Sequence, residues 1–148
     1  MTKETANTGR RSWRRALKAW LPAIAYMAVI YTLSAQPDLP AELPFSGGDK
    51  VAHAVIFLGL ALLVFRSTVK SPLVGRLGPY VQTFCLTALY GISDEYHQHF
   101  VPGRTMDKFD WFADVLGVVI ALILIAILRK PATNGGTEIG EIKEEKRR

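Results

Sequence analysis

Polar and apolar positions are sorted along this 148-residue chain, with the apolar ones gathered into four blocks. The blocks run from Leu17 to Leu33, Val51 to Phe65, Tyr80 to Ile92 and Phe112 to Leu128. Each strictly apolar run is shorter than the ~20 residues a helix needs to cross hydrocarbon. The fourth is the strongest, apolar without a break from Val115 to Leu128. The third is the weakest. It reaches spanning length only by taking in Pro79 on one side and Ser93 to Tyr96 on the other, which draws Asp94 and Glu95 to the membrane edge.

The charges between the blocks decide how the blocks are read. Lys3, Arg10, Arg11, Arg14, Arg15 and Lys18 lie before or at the start of the first block. Arg66, Lys70 and Arg76 lie between the second and third, and Arg129, Lys130, Lys143, Lys146, Arg147 and Arg148 follow the fourth. Only Lys50, Arg104 and Lys108 occupy the other two connections. Basic residues in alternate connections mark the cytoplasmic side of a multispanning protein, and a soluble bundle has no reason to sort them so. The expected architecture is therefore all-α, an integral membrane bundle of four transmembrane helices with both termini cytoplasmic. The spans are placed at about 17–35, 50–66, 78–96 and 109–129, within a membrane domain of residues 17–130. A basic tail (1–16) precedes it and a polar tail (131–148) follows. Trp20, Tyr80 and Trp111 fall at span ends, where interfacial aromatics sit. The first ten residues and the stretch from Thr133 to Arg148 are read as lacking fixed structure, being rich in charge and poor in apolar residues.

A second reading of the N-terminus competes with the first. Arg10 to Lys18, an apolar core and Leu33-Ser34-Ala35 resemble a signal peptide with a small-residue cleavage site, and Arg10-Arg11 hints at a twin-arginine signal. Cleavage after Ala35 would leave three spans. Trp20 and Tyr31 flanking the core, and Pro22 at its start, favour a retained span.

Composition adds little to this picture. The formal charge of +5 and the mean hydropathy of +0.17 are averages over polar tails and an apolar middle. No nucleic-acid-binding signature accompanies the charge. Cys85 is the single cysteine, so no disulfide forms within the chain. It is expected to be a small buried apolar residue.

The topology puts two connections outside. The first, Ser34 to Lys50, holds Pro37, Pro40, Pro44, Gly47 and Gly48 and is expected to be irregular. The second, Ser93 to Trp111, holds Asp94, Glu95, His97, Gln98, His99, Arg104, Asp107 and Asp110. Helical spacing says which groups converge. Ser46 or Asp49 can cap the second span, and Lys50 and His53 stand three residues apart on one stripe. Asp94, His97 and Gln98 share a face of the third span, as do Glu95 and Gln98. Pro102-Gly103 signals a turn, which brings Glu95 and Arg104 close and leaves an arginine fork for phosphate. Thr105 is the expected N-cap of the fourth span. Asp107, Asp110 and Asp114 then line one face of that helix. Asp107 also fits a simple helix-dipole role, and Asp110 and Asp114 fit interhelical ion pairs; for Asp114 the partners are His53, Lys50 or Arg104. Gly59, Gly91 and Gly117 are expected to permit close helix packing.

Taken together, these residues resemble the VanZ-like family of small bacterial membrane proteins. The resemblance rests on Leu33-Ser34-x-Gln36-Pro37, on Asp49-Lys50-x-x-His53, on Asp94-Glu95-x-x-Gln98-x-Phe100-Val101-Pro102-Gly103-Arg104, and on Asp110-x-x-x-Asp114-x-x-Gly117. It covers residues 20 to 128. Many members carry asparagine where this chain has Asp114, which adds a titratable group here. The resemblance implies a multipass protein of the bacterial inner (plasma) membrane, connected with the cell envelope. The family is named for a protein linked to resistance to the glycopeptide antibiotic teicoplanin, so altered glycopeptide susceptibility is an expectation of the family name. It does not extend to resistance conferred by this chain.

Three functions are compatible with these residues. In the favoured one, the protein is no enzyme. Lys50, His53 and Arg104 bind an anionic lipid headgroup or cell-wall precursor at the outer leaflet, while Asp94, Glu95, Gln98, Asp107, Asp110 and Asp114 position them. No cofactor is required and no nucleic acid is a partner. The second is a membrane-embedded hydrolase or transferase acting on a lipid-linked substrate. His53, Glu95, His97, Asp107 and Asp110 are metal-ligand types, but their spacing matches no metal motif, so no metal is assigned. The third is a small transporter or pump subunit, with Asp114 as the intramembrane acid.

Overall fold

The computed structural model describes residues 3–37, 47–71, 73 and 77–129, with side chains of the first helix from Trp13 onward. It contains four helices: α1 (Lys3–Ser34), α2 (Gly48–Lys70), α3 (Pro79–Gln98) and α4 (Lys108–Leu128). There is no strand among the described residues. The proline-rich stretch 38–46 with Ser46, Arg76 and the tail from Lys130 lie outside them.

Three helices are long and apolar enough to cross a membrane: α1 over Trp13–Ser34, α2 over Gly48–Lys70 and α4 over Lys108–Leu128. The described residues are therefore all-helical, with the length and apolar composition of a membrane protein's helices. The helix α1 begins at Lys3, earlier than expected for a tail without structure. Lys3, Glu4, Ala6, Arg10 and Arg11 there are good helix formers, and the helix of the first span continues through them despite Asn7, Thr8 and Gly9.

The helix α3 is 20 residues long but lacks the hydropathy of the other three. Its buried residues are Gln82, Thr83, Thr87, Ala88, Gly91, Asp94, Glu95 and Gln98, so its polar side chains face the other helices. Its exposed residues include Val81, Phe84, Leu89, Ile92 and Tyr96. This is the reverse of a helix on a water-soluble protein, where apolar residues line the buried stripe. Cys85 falls on the exposed side, not in the interior as expected. It lies off the polar stripe that turns inward.

The helix α2 packs against all three others, and α1 and α4 do not touch among the described residues. The apolar core is built from Ala23 and Ile30 of α1, Phe57, Leu60, Ala61 and Val64 of α2, and Val118 and Ala121 of α4. Small residues set the approach of the helices. A Cβ on Gly117 would run into the Ala54 carbonyl and come within 3.0 Å of the Leu58 amide nitrogen. The two backbones meet there, which is how small residues hold membrane helices together. At Gly59 the added atom would meet the Tyr26 hydroxyl at 2.9 Å, the end of a movable side chain.

The two ends of the bundle differ in chemistry. At the Lys70 end the hydrogen bonds between elements are uncharged, and the Arg129 guanidinium lies over the Phe65 ring. The Ser67 hydroxyl donates to the Ala19 carbonyl at 2.8 Å, Thr68 meets Thr83 at 3.4 Å, and the Trp20 indole donates to the Ser71 carbonyl at 3.0 Å. All the ion pairs between described residues lie at the Lys50 end.

Gly117→Ala is expected to lower stability by about 1–3 kcal/mol, because two backbones must separate to admit one methyl group. Gly78→Ala, where the added Cβ meets nothing within 4 Å, is expected to be neutral. Thermal unfolding of both variants in detergent checks the contrast.

Candidate functional site

Both helix starts at the Lys50 end depart from expectation. The helix α2 is preceded by Gly47, whose φ of 85° suits glycine, and no side chain caps it. Asp49 instead lies in the first turn. At α4 the N-cap is Asp107, not Thr105: its Oδ1 accepts the Phe109 amide at 2.9 Å. That amide is the main reason the Asp107 carboxyl sits below its ordinary pKa, with Lys50 adding to the effect. The turn before it uses Gly103 at φ 81°, where a Cβ would stand 3.3 Å from the Pro37 carbonyl.

From these starts α2 and α4 run side by side in the same direction, and two rungs join them. The first is Lys50, whose Nζ lies 3.0 Å from Asp110, 2.9 Å from Asp49 and 3.4 Å from Asp107. One turn deeper, His53 Nδ1 meets Asp114 Oδ1 at 2.9 Å. Asp114 is fully buried. Of the three partners open to it from spacing, the structure selects His53. Below that rung comes the Gly117–Ala54 approach. The spacing of Lys50 and His53 on α2, and of Asp110, Asp114 and Gly117 on α4, is the spacing of these rungs.

The helix α3 closes the third side. Glu95 is 1% exposed, and its Oε2 accepts the Asp107 amide at 3.0 Å. Gly91, one turn earlier, lets α3 approach Asp114: a Cβ there would be 3.0 Å from Asp114 Oδ2, 3.2 Å from Trp111 and 3.3 Å from Phe57. Glu95, His53 and Asp114 each present a ligating atom, and these atoms lie within 4.8 Å of one another. Glu95 Oε1 and Asp114 Oδ2 are buried and have no hydrogen-bond partner.

Asp94 and Gln98 form a second polar group on α3. Asp94 Oδ2 accepts from the Ser34 hydroxyl at 2.9 Å and from the Gln98 amide at 3.1 Å. This joins the end of α1 to α3. Ser34 was not among the expected site residues; its place in Leu33-Ser34-x-Gln36-Pro37 was the available signal. Nearby, Tyr31 stacks on His97 with ring centroids 4.3 Å apart.

Arg104, which the turn was expected to bring close to Glu95 with its fork left for phosphate, makes no ion pair with it. The Glu95 carboxylate is turned to the α4 backbone instead. Arg104 is half-buried, makes no ion pair among the described residues, and its buried Nε has no partner. The structure thus joins Lys50, Asp107, Asp110 and Glu95 through direct contacts and pairs His53 with Asp114, within 4.8 Å of Glu95. Asp94 and Gln98 lie in a neighbouring group, and Arg104 stands apart on the connecting turn.

The family model described as VanZ/LLP1 matches residues 5–129. A protein of Schizosaccharomyces pombe described as uncharacterized is 29% identical over 107 residues, which cover 72% of this chain and 64% of the relative. The chain therefore spans less than two thirds of that relative's length. No solved structure matches the chain.

The Lys50 ammonium offsets three carboxylates. Lys50→Met is expected to destabilise the protein, and Asp110→Asn to recover part of the loss in the double variant. A double-mutant cycle by thermal unfolding should give a Lys50–Asp110 coupling on the order of 0.5–1 kcal/mol, modest because the lysine is partly exposed. A coupling of zero would mean that the contact orients the helices without stabilising them.

Proposed function

The chain belongs to the VanZ/LLP1 family, and from that premise we propose that it is a four-span protein of a bacterial cell envelope that binds phosphate-bearing lipid headgroups or precursors. In this reading both termini are cytoplasmic and the Lys50 end faces outward. Two observations support the topology. Basic residues are concentrated in alternate connections, and α3 turns polar side chains inward and apolar ones outward, as a helix in lipid does. The fourth span is then α3 itself.

The observation that carries the binding reading is the state of the two cations. Lys50 is surrounded by Asp49, Asp107 and Asp110, so its charge is already balanced. Arg104 is the cation on the connecting turn with no acidic partner among the described residues, and its guanidinium can take a phosphate through two parallel hydrogen bonds. The headgroup cation is therefore Arg104. Lys50 holds the scaffold, and Asp94, Glu95, Gln98, Asp110 and Asp114 supply its acidic and amide side. Exposed Tyr96, Phe100, Met106 and Phe109 flank the turn, side chains suited to the membrane interface. A ligand at this place is within reach of envelope precursors, which connects the site to glycopeptide susceptibility.

One observation favours a second reading. His53 held by a buried Asp114 is the arrangement that orients an imidazole as a general base. A membrane-embedded hydrolase or transferase acting on a lipid-linked substrate would use that pair. Release of phosphate from a pyrophosphate-linked lipid by the purified protein would establish it.

Arg104→Ala is expected to weaken retention of phosphatidylglycerol roughly tenfold in native mass spectrometry, corresponding to the loss of a charge-assisted hydrogen bond. Arg104→Lys should recover part of it. Equal retention by wild type and Arg104→Ala would overturn the headgroup assignment. A reporter fused to either terminus is expected to read cytoplasmic, and one inserted between residues 38 and 46 to read extracytoplasmic.

A further inference from the structure

We propose that His53, Glu95 and Asp114 form a divalent transition-metal site, buried where α2, α3 and α4 meet. The inference concerns no lipid and goes beyond the headgroup reading. Its failure would leave that reading untouched.

The first argument is geometric. One ligating atom from each of the three residues lies within 4.8 Å of the other two. Donors around one ion with bonds of roughly 2.0–2.2 Å stand at most about 4.4 Å apart, so side-chain shifts of less than an ångström bring the three onto one ion. The three come from three helices, so the site exists only when the bundle is assembled.

The second argument is independent of the spacing. Glu95 is 1% exposed and Asp114 is 0% exposed, and each has one carboxylate oxygen, Oε1 and Oδ2, without a hydrogen-bond partner among the described residues. An unpartnered carboxylate oxygen removed from water is strongly disfavoured unless a cation or a proton meets it. The remaining oxygens are committed: Glu95 Oε2 to the Asp107 amide and Asp114 Oδ1 to His53. The carboxylates are thus held in place by one oxygen and left open at the other. For Glu95 the holding contact is an outer one, of the kind that commonly orients metal ligands; for Asp114 it comes from His53, itself a member of the group.

Charge balance points the same way. Two carboxylates and one neutral imidazole carry two negative charges, which a divalent ion neutralises. Lys50 cannot do so, because Asp49, Asp107 and Asp110 already engage it. The donor set also selects the metal. One imidazole nitrogen and two carboxylate oxygens suit zinc, manganese or iron, whereas magnesium and calcium favour all-oxygen sites. Three protein ligands leave a coordination position open, as catalytic rather than purely structural sites do.

The test uses the full chain without a histidine tag, purified in detergent, stripped with chelator and titrated with zinc alone. One zinc per chain and a raised unfolding midpoint are expected. Glu95→Gln and Asp114→Asn, which keep shape and remove charge, should each weaken zinc binding tenfold or more while helix content is retained. Cobalt added in place of zinc should give a visible absorption band that His53→Gln alters. Wild-type chain that holds no stoichiometric zinc, manganese or iron, with an unfolding midpoint indifferent to chelator, would overturn the proposal. So would amide variants that bind zinc as tightly as wild type. The wild-type measurements decide the matter even if a variant fails to fold.

Discussion

Asp114 is the constraint around which this end of the protein is arranged. It is a carboxylate with no exposure, placed directly before an unbroken apolar stretch. A charge in that position is costly unless it is paired. His53 supplies the pair from α2, and its place three residues after Lys50 follows from the helical repeat. Gly91 supplies the space from α3, since any side chain there would press on Asp114 Oδ2. Gly117, one turn deeper, lets α2 come close enough for His53 to reach. The two glycines, the histidine and the aspartate make one device.

The same requirement explains why α2 is the central helix. It carries the partner of Asp114, the lysine that gathers Asp107 and Asp110, and the largest part of the apolar core. The helix α1 joins α2 through the core residues Ala23 and Ile30 and the Ser67–Ala19 hydrogen bond, and joins α3 through Ser34–Asp94 and through Tyr90, whose hydroxyl donates to the Met27 carbonyl at 2.7 Å. A hydrocarbon surround gives no hydrophobic drive to helix association, so close packing and buried hydrogen bonds carry it.

Much of this was readable from the residues. The four helices follow from the apolar blocks, and Lys50, His53, Asp107, Asp110 and Asp114 follow from helical spacing. What spacing could not decide was partner choice across helices. Glu95 and Arg104 lie near each other in sequence, yet Glu95 turns to the Asp107 amide, because the start of α4 presents unbonded N–H groups that a buried carboxylate can satisfy. Thr105 looked like the cap, but the cap fell to Asp107, whose carboxylate is the better acceptor and also reaches Lys50. Cys85 looked buried because its block is apolar. In a helix whose inward face is polar, apolar neighbours mark the outside instead. The His53–Glu95–Asp114 grouping carries no sequence motif at all, since its members stand on three helices.

These contacts also make the polar end a single unit rather than a set of separate pairs. Glu95 on α3 accepts the amide of Asp107, and Asp107 caps α4. Asp107 and Asp110 then share Lys50 on α2. The other oxygen of Glu95 faces no donor, and its neighbours in the ligating group are His53 and Asp114. Any cation or proton that meets Glu95 therefore acts on a residue that already fixes the start of α4, and through it the lysine on α2. The connecting turn that carries Arg104 lies between Glu95 and Asp107 in the chain and is held at both ends by that one hydrogen bond.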